Sequence, residues 1–441
     1  MSGRERDTIV APATPLGRGA LAIVRIDGPE AVRIVEDLAG VELEERRARV
    51  VRLRDGEELL DEAVAVRWSA PRSYTGNDLV EVTLHGSPAL VERLMGAARA
   101  RGARPAEAGE FTERAVLNGR IDLVQAEAIG DLIASRTALQ AKLALANLGG
   151  ELSRAAGAIR EIVLEVLSRL EAALDFAEED YEFITREEGE ALLAGAEGEI
   201  ASLERTFARG RATTAGITAV IVGRPNAGKS TLLNFLCGSE RAIVTPIPGT
   251  TRDLLRETVE IGGLPVTLVD TAGLRSTGDA VEQIGIARAR AAAAGGEIVL
   301  CLVDAVEGMG ESEREVLEAR PDAIVVYTKA DLAEVPEGVL AISVPERRGL
   351  DELLARLDAK VREELAVPEG TAAVVNERQR GAVAGAREGV AAAREALRAG
   401  GGEEVVAAEL RSAARALGAL AGEITTDEVL ARIFSKFCIG K

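Results

Sequence analysis

Ile217-Thr218-Ala219-Val220-Ile221-Val222-Gly223-Arg224-Pro225-Asn226-Ala227-Gly228-Lys229-Ser230 decides the fold of the second half of the chain. Its opening run has no polar face, as expected of a parallel strand buried on both sides. The remainder fits G-x-x-x-x-G-K-[ST] and predicts a turn from strand into helix. Glycines there let backbone N–H groups curl round a β-phosphate, the helix N-terminus adds positive potential, and Lys229 neutralises β/γ oxygens. The Ser230 hydroxyl is placed to ligate Mg2+. Asn226, Ala227, Gly228, Lys229, Ser230 and Thr231 are the expected phosphate contacts of a P-loop.

Further elements follow in the order that a GTP-binding domain requires. Gly249-Thr250-Thr251-Arg252-Asp253 reads as a first switch segment, with Thr251 a second hydroxyl on Mg2+. Asp270-Thr271-Ala272-Gly273 ends a buried strand; Asp270 is expected to hold the metal through water, and the Gly273 N–H to sense a γ-phosphate. Thr328-Lys329-Ala330-Asp331 sets the base: Asp331 accepts from guanine N1–H and the exocyclic amine. It departs from Asn-Lys-x-Asp, and Ser343-Val344-Pro345 departs from Ser-Ala-Lys, so guanine binding is expected to be weaker by about 1 kcal/mol per missing bond. Leu274 stands where Ras has a water-orienting Gln. Asn226 either helps hold a monovalent cation near the β/γ bridge or simply caps the loop.

The chain has 441 residues, more than one hydrophobic core usually organises. Aromatics are 2% against 47% hydrophobic residues, so aliphatic side chains must build the cores. A net charge of −19 argues against a surface coated for nucleic-acid backbones. Three cysteines are too few for a disulfide framework, no apolar leader follows Met1, and no apolar run reaches the length of a spanning helix. A cytoplasmic protein without a membrane partner is expected.

Residues 1–118 read as an α/β domain, with strands at 20–26 and 79–85 and an amphipathic helix after Gly28-Pro29. From Ile121 the apolar period becomes helical and continues towards Leu203, with Gly149-Gly150 as a joint. Strands at 217–222, 266–269, 298–303, 324–327 and 339–343 predict a doubly wound, mainly parallel sheet. Helix returns after Pro368. The expected division is therefore 1–118, a discontinuous helical domain of 119–210 and 368–441, and an inserted Ras-like GTPase domain of 211–367. The two helical flanks are expected to pack together.

With these motifs in place, the chain resembles the MnmE (TrmE) family of tRNA-modification GTPases nearly end to end. The resemblance rests on the nucleotide motifs together with Asp7-Thr8-Ile9-Val10-Ala11-Pro12-Ala13-Thr14-Pro15, Gly17-Arg18-Gly19, Pro71-Arg72-Ser73-Tyr74-Thr75-Gly76, Gly109-Glu110-Phe111-Thr112-Glu113-Arg114-Ala115, Asn118-Gly119-Arg120-Ile121-Asp122-Leu123 and Phe437-Cys438-Ile439-Gly440-Lys441. It implies an N-terminal domain that dimerises and binds a tetrahydrofolate derivative, in its 5-formyl or methylene form, through Arg25, Glu81, Arg120 and Lys441, with Cys438 close by.

In the GTPase domain the resemblance implies a K+ site at Asn226 and the carbonyls of Thr245, Ile247 and Thr250. Pro246, Pro248 and Gly249 complete that nucleotide-facing loop, and Glu282 orients the attacking water, filling the gap left by Leu274. Hydrolysis would be stimulated when two GTPase domains of a homodimer meet. A flavin- and NADH-using partner, joined in a heterotetramer, would work with it to place an aminomethyl or carboxymethylaminomethyl group on C5 of the tRNA wobble uridine. The acidic chain would leave most tRNA contact to that partner. Two other readings share the motifs: a regulatory or ribosome-assembly GTPase switch, and a folate-dependent one-carbon enzyme in which GTP only regulates. A ribosome-assembly GTPase usually carries an appended basic RNA-binding domain, which this sequence does not display.

Overall fold

The computed structural model describes residues 7–175, 184–238, 256–270, 297–365, 373–423, 430, 433–435, 437 and 440. Two compact units emerge, one of residues 1–130, 148–183 and 403–441, the other of 131–147 and 184–402. Among the described residues no helix is long and apolar enough to cross a membrane.

The first unit is built on a six-stranded sheet. Its strands are β1 Ile9–Pro12, β2 Leu21–Asp27, β3 Arg49–Asp55, β4 Glu58–Trp68, β5 Leu79–His85 and β6 Arg104–Pro105, in the order β3-β4-β5-β2-β1-β6. Alternation sorts their side chains. Val24, Ile26, Val80, Val82 and Leu84 face a core closed by helices Ala31–Ala39 and Pro88–Ala100. Ile9, Ala11 and Leu79 face the other way, packed on Phe111 of helix Glu110–Leu117 and on Trp68 and Tyr74. The same period carries Arg25 and Glu81 to this second face, directly paired across β2 and β5.

The second unit contains a five-stranded sheet: β7 Ile217–Val222, β8 Arg256–Ile261, β9 Leu264–Asp270, β10 Ile298–Asp304 and β11 Ile324–Thr328. Their order is β11-β10-β7-β9-β8, parallel except for the β8–β9 hairpin. Ile217, Ala219, Ile221, Ile298, Leu300 and Leu302 bury against Leu232 and Leu236 of helix Lys229–Cys237 and Leu353 and Leu357 of helix Leu350–Leu365. Val220, Val222, Val299 and Cys301 bury against Val316 of helix Glu311–Ala319 on the opposite face. This is the doubly wound sheet that the uninterrupted apolar runs required.

The expected strand at 339–343 is reduced to bridges. Tyr327 N donates to Leu340 O at 2.7–2.8 Å spacing mirrored by Ile342 N to Tyr327 O, and the chain then turns back at Ser343, which pairs with Arg348. Pro345 inside that turn has no N–H to extend a ladder.

The helices before and after the sheet pair within each unit. In the first unit Glu151–Asp175 lies along Glu403–Ala421, joined by Arg160–Glu423 at 2.7 Å and Arg411–Glu171 at 2.9 Å. In the second, Arg186–Arg205 lies along Glu377–Arg398, with Arg394 on both Glu190 and Glu197. Gly150, just before helix Glu151–Asp175, takes left-handed backbone, φ 78°. Where the described chain resumes after the sheet, Val374 lies against the stretch that leads into it. Val374 N donates to Thr206 Oγ1 at 3.0 Å, and a Cβ on Gly210 would stand 2.2 Å from Val374 O.

Candidate functional site

The phosphate loop leaves β7 at its C-terminal end and closes into helix Lys229–Cys237. The sequence needs unusual backbone here and has it. Gly223 takes φ 150° with no room for a side chain, since a Cβ would meet Leu302 O at 2.6 Å. Asn226 and Gly228 both adopt left-handed backbone, φ 65° and 83°. Lys229 is buried, and its ammonium donates to the carbonyls of Gly223 and Arg224, each at 2.7 Å. Asn226 and Ser230 are exposed, at the crest of the loop and in the first helical turn. The first N–H groups of that helix have no intrahelical acceptor and, with the helix dipole, favour an anion.

The Thr328–Asp331 turn, expected from the sequence to meet the base, stands beside this loop because β10 lies between β7 and β11. Thr328 is buried, and its hydroxyl lies 3.0 Å from Ala227 O and 3.3 Å from Val303 O. Lys329, at φ 56°, places Nζ 2.5 Å from Asp304 Oδ2. Burial pushes the Asp304 carboxyl up, but the Lys329 ammonium and the Val306 N–H outweigh it and hold the pKa below the usual carboxylate range. Asp331 is exposed at the rim of this turn, and Arg348 donates to Ala330 O, bracing it from the Ser343–Arg348 turn.

Two participants went unread in the sequence. Asp304 is a strand-end acid, and its only sequence signal is its place after the buried run Ile298–Val303. Glu313 sits 1% exposed, bound to Arg224 of the phosphate loop. Its neighbours Glu311, Arg314 and Glu315 make the segment read as a solvated face.

Other expected nucleotide and metal residues lie outside the described residues. They are Thr245, Pro246, Ile247, Pro248, Gly249, Thr250, Thr251, Thr271, Ala272, Gly273 and Glu282. Of Asp270 only the backbone is described; it pairs with Ile221 at the end of β9, next to the strand that feeds the phosphate loop.

A second cluster forms in the first unit. Arg25 Nε donates to Glu81 Oε1 at 2.8 Å, and the guanidinium stands 5.2 Å from the Tyr74 ring centroid. Arg25 also reaches Gly440 O at 3.5 Å. Gly440 is pressed against β1, where a Cβ would fall 1.9 Å from Pro12 O. Arg120 Nε donates to Ser73 O at 3.1 Å, so it joins the loop that carries Tyr74. The Tyr74 hydroxyl is 2.8 Å from Thr112 Oγ1, which fixes the ring. Burial raises the Tyr74 pKa, against the pull of Thr112 and Arg25. Arg25 and Glu81 are thus one half-buried pair with an aromatic face. Cys438 and Lys441 lie outside the described residues.

The remaining candidates read as structural. His85 Nδ1 is 2.8 Å from Asp61 Oδ1 on an exposed strand end. Burial, then the charge of Glu257, pushes the Cys237 thiol up to about 11, and burial with Glu313 pushes Cys301 up to about 12. Both thiols stay protonated and inert at neutral pH.

Residues 8–120 match the family described as GTP-binding protein TrmE N-terminus, and residues 123–438 match the MnmE helical domain. A protein of Symbiobacterium thermophilum named tRNA modification GTPase MnmE is 43% identical over 457 residues, covering 99% of each chain. Proteins of the same name from Koribacter versatilis and Aquifex aeolicus are 43% and 41% identical; both alignments span 99% of this chain, and 99% and 100% of the relatives.

Proposed function

This chain belongs to the MnmE family of tRNA modification GTPases, and from that membership we propose that it hydrolyses GTP to drive modification of tRNA. The observation that carries the reading is the join between two half-sites. The Thr328 hydroxyl, 3.0 Å from Ala227 O, ties the base-recognition turn to the phosphate loop within one parallel sheet. Lys229 and the helix N-terminus bind the phosphates, while Lys329, braced by Asp304, and Asp331 recognise guanine.

In this reading Ser230 and Thr251 would hold Mg2+, and Asn226 with the carbonyls of Thr245, Ile247 and Thr250 would hold K+. The exposed amide of Asn226, raised on left-handed backbone, suits an oxygen ligand aimed outward. Such a cation would supply positive charge to stabilise the negative charge that develops on the phosphates during hydrolysis. Glu282 orients the attacking water, and hydrolysis quickens when the GTPase domains of a homodimer meet.

The Arg25–Glu81–Tyr74 cluster fits a tetrahydrofolate derivative by its donor set: a carboxylate for the N–H groups of a pterin, a guanidinium for anionic tail groups, and an aromatic face. Arg120 and Lys441 complete that site. A flavin- and NADH-using partner would share the addition of an aminomethyl or carboxymethylaminomethyl group at C5 of the wobble uridine. The domain division we propose is 1–118, 119–210 with 368–441, and 211–367.

The test is GTP hydrolysis by the purified protein in potassium and in sodium at equal ionic strength. Stimulation by potassium that Asn226→Ala abolishes is the expected result. Equal slow rates in both salts would remove the cation from the mechanism and leave a slow nucleotide switch.

A further inference from the structure

Glu313 is a buried acid outside the set of nucleotide contacts, yet it touches the phosphate loop twice. Its Oε1 accepts from Arg224 N at 3.1 Å and from Arg224 Nε at 3.2 Å. Its Oε2 accepts from Gly310 N at 3.1 Å and lies 3.2 Å from Ser312 Oγ. Helix capping explains the second oxygen only. A helix cap does not need a partner from the phosphate loop, nor a side chain that is 1% exposed.

Arg224, half-buried, has several further partners. Beyond Glu313, its guanidinium donates to Gly308 O and stands 3.3 Å from Glu307 Oε2. Its own carbonyl receives the Lys229 ammonium at 2.7 Å. Two residues on, the loop rises to Asn226, and Ala227 beyond it is anchored by Thr328. The crest that carries Asn226 is therefore suspended between two anchored residues, one tied to the start of helix Glu311–Ala319 and one to the end of β11.

We propose that Glu313 is a positioning residue for GTP binding: acting through Arg224, it fixes the outer arm of the phosphate loop so that its N–H groups and Lys229 meet the β-phosphate already ordered. This rests on the nucleotide-site reading above. A loop that must order on binding gives up affinity that a prepared loop keeps. The effect falls on GDP and GTP alike, since both carry the β-phosphate, and leaves base choice with Lys329 and Asp331.

The experiment is equilibrium binding of fluorescent GDP and of a fluorescent non-hydrolysable GTP analogue to the full chain, with thermal unfolding measured alongside. Glu313→Ala and Arg224→Ala are each expected to weaken both nucleotides about tenfold or more, as loss of a charged hydrogen bond predicts. The double variant should bind no worse than Glu313→Ala, because the two act in series. Preference for GDP over ADP should not change.

Arg224→Ala keeps the buried helix cap, so it tests the idea even where Glu313→Ala fails to fold. Undiminished nucleotide affinity in Arg224→Ala, or a lower unfolding temperature for Glu313→Ala with unchanged affinity, overturns the proposal. A parent protein that binds neither nucleotide overturns the nucleotide site itself, a separate result.

Discussion

The Thr328 hydroxyl and the Ala227 carbonyl, 3.0 Å apart, connect the two halves of the nucleotide site. Thr stands where Asn is usual, and from the sequence alone that exchange removes a hydrogen bond. In the folded chain the hydroxyl is engaged with the phosphate loop. Thr328→Val should leave the Ala227 carbonyl without this donor and weaken GDP binding by about 1–3 kcal/mol. Thr328→Asn should change it less than tenfold. Titration with a fluorescent guanine nucleotide separates them, and a Val variant that binds like the parent would show the bond to be incidental.

Asp304 gives the site a pH dependence with a definite sign. Its pKa in the folded chain is below the ordinary value of 3.8, so its pairing with Lys329 stabilises the fold above that value. The contribution is lost as pH falls through 3.8 towards the folded pKa. Asp304→Asn should therefore lower the unfolding temperature near neutrality and flatten its decline between about pH 5 and pH 3. Parallel curves for parent and variant across that range would contradict this assignment.

In the first unit, Arg25 and Glu81 are each other's principal charged partner at 2.8 Å. Binding of 5-formyltetrahydrofolate, followed by calorimetry, should fall about 10- to 100-fold in Glu81→Ala, the range of a lost charged hydrogen bond. Arg25→Lys should also bind weakly, since an ammonium cannot present the planar face that Arg25 turns to Tyr74. Full affinity in both variants, or no binding by the parent protein, would overturn the proposed folate site.

Asn147 fastens helix Ala138–Leu148 to the segment that returns from the sheet: Nδ2 donates to Ala373 O at 3.1 Å. The same side chain has a buried Oδ1 with no hydrogen-bond partner among the described residues. Asn147→Leu loses one bond and relieves one unmet acceptor, so unfolding free energy should fall by only about 1 kcal/mol. A loss above about 3 kcal/mol in urea denaturation would mean that the bond organises more than its own helix.

The strands of the nucleotide sheet were readable because burial on both faces leaves long apolar runs: 217–222 and 298–303 fell within a residue of β7 and β10. Where only one face is buried the signal thins. In β3, Val51 and Leu53 alone turn inward among four charged residues, and no strand is legible there. The expected phosphate and base segments are local motifs, so naming them needs no long-range information. Glu313 was not, because its significance lies in a partner 89 positions away, Arg224. Arg25 and Glu81 were named through family resemblance; the cross-strand register that joins them is a long-range fact of the fold.

Thr206, Gly210 and Val374 lie against one another, so the chain departs towards the nucleotide sheet and comes back at nearly the same spot. A short linker across that spot should let helices Arg186–Arg205 and Glu377–Arg398 close on each other with the whole sheet removed. The same geometry makes the attachment a doubled stalk. Thr206 and Gly210 on the way in and Val374 on the way out are held together at the foot of the sheet, so a change at either connector is felt by the other.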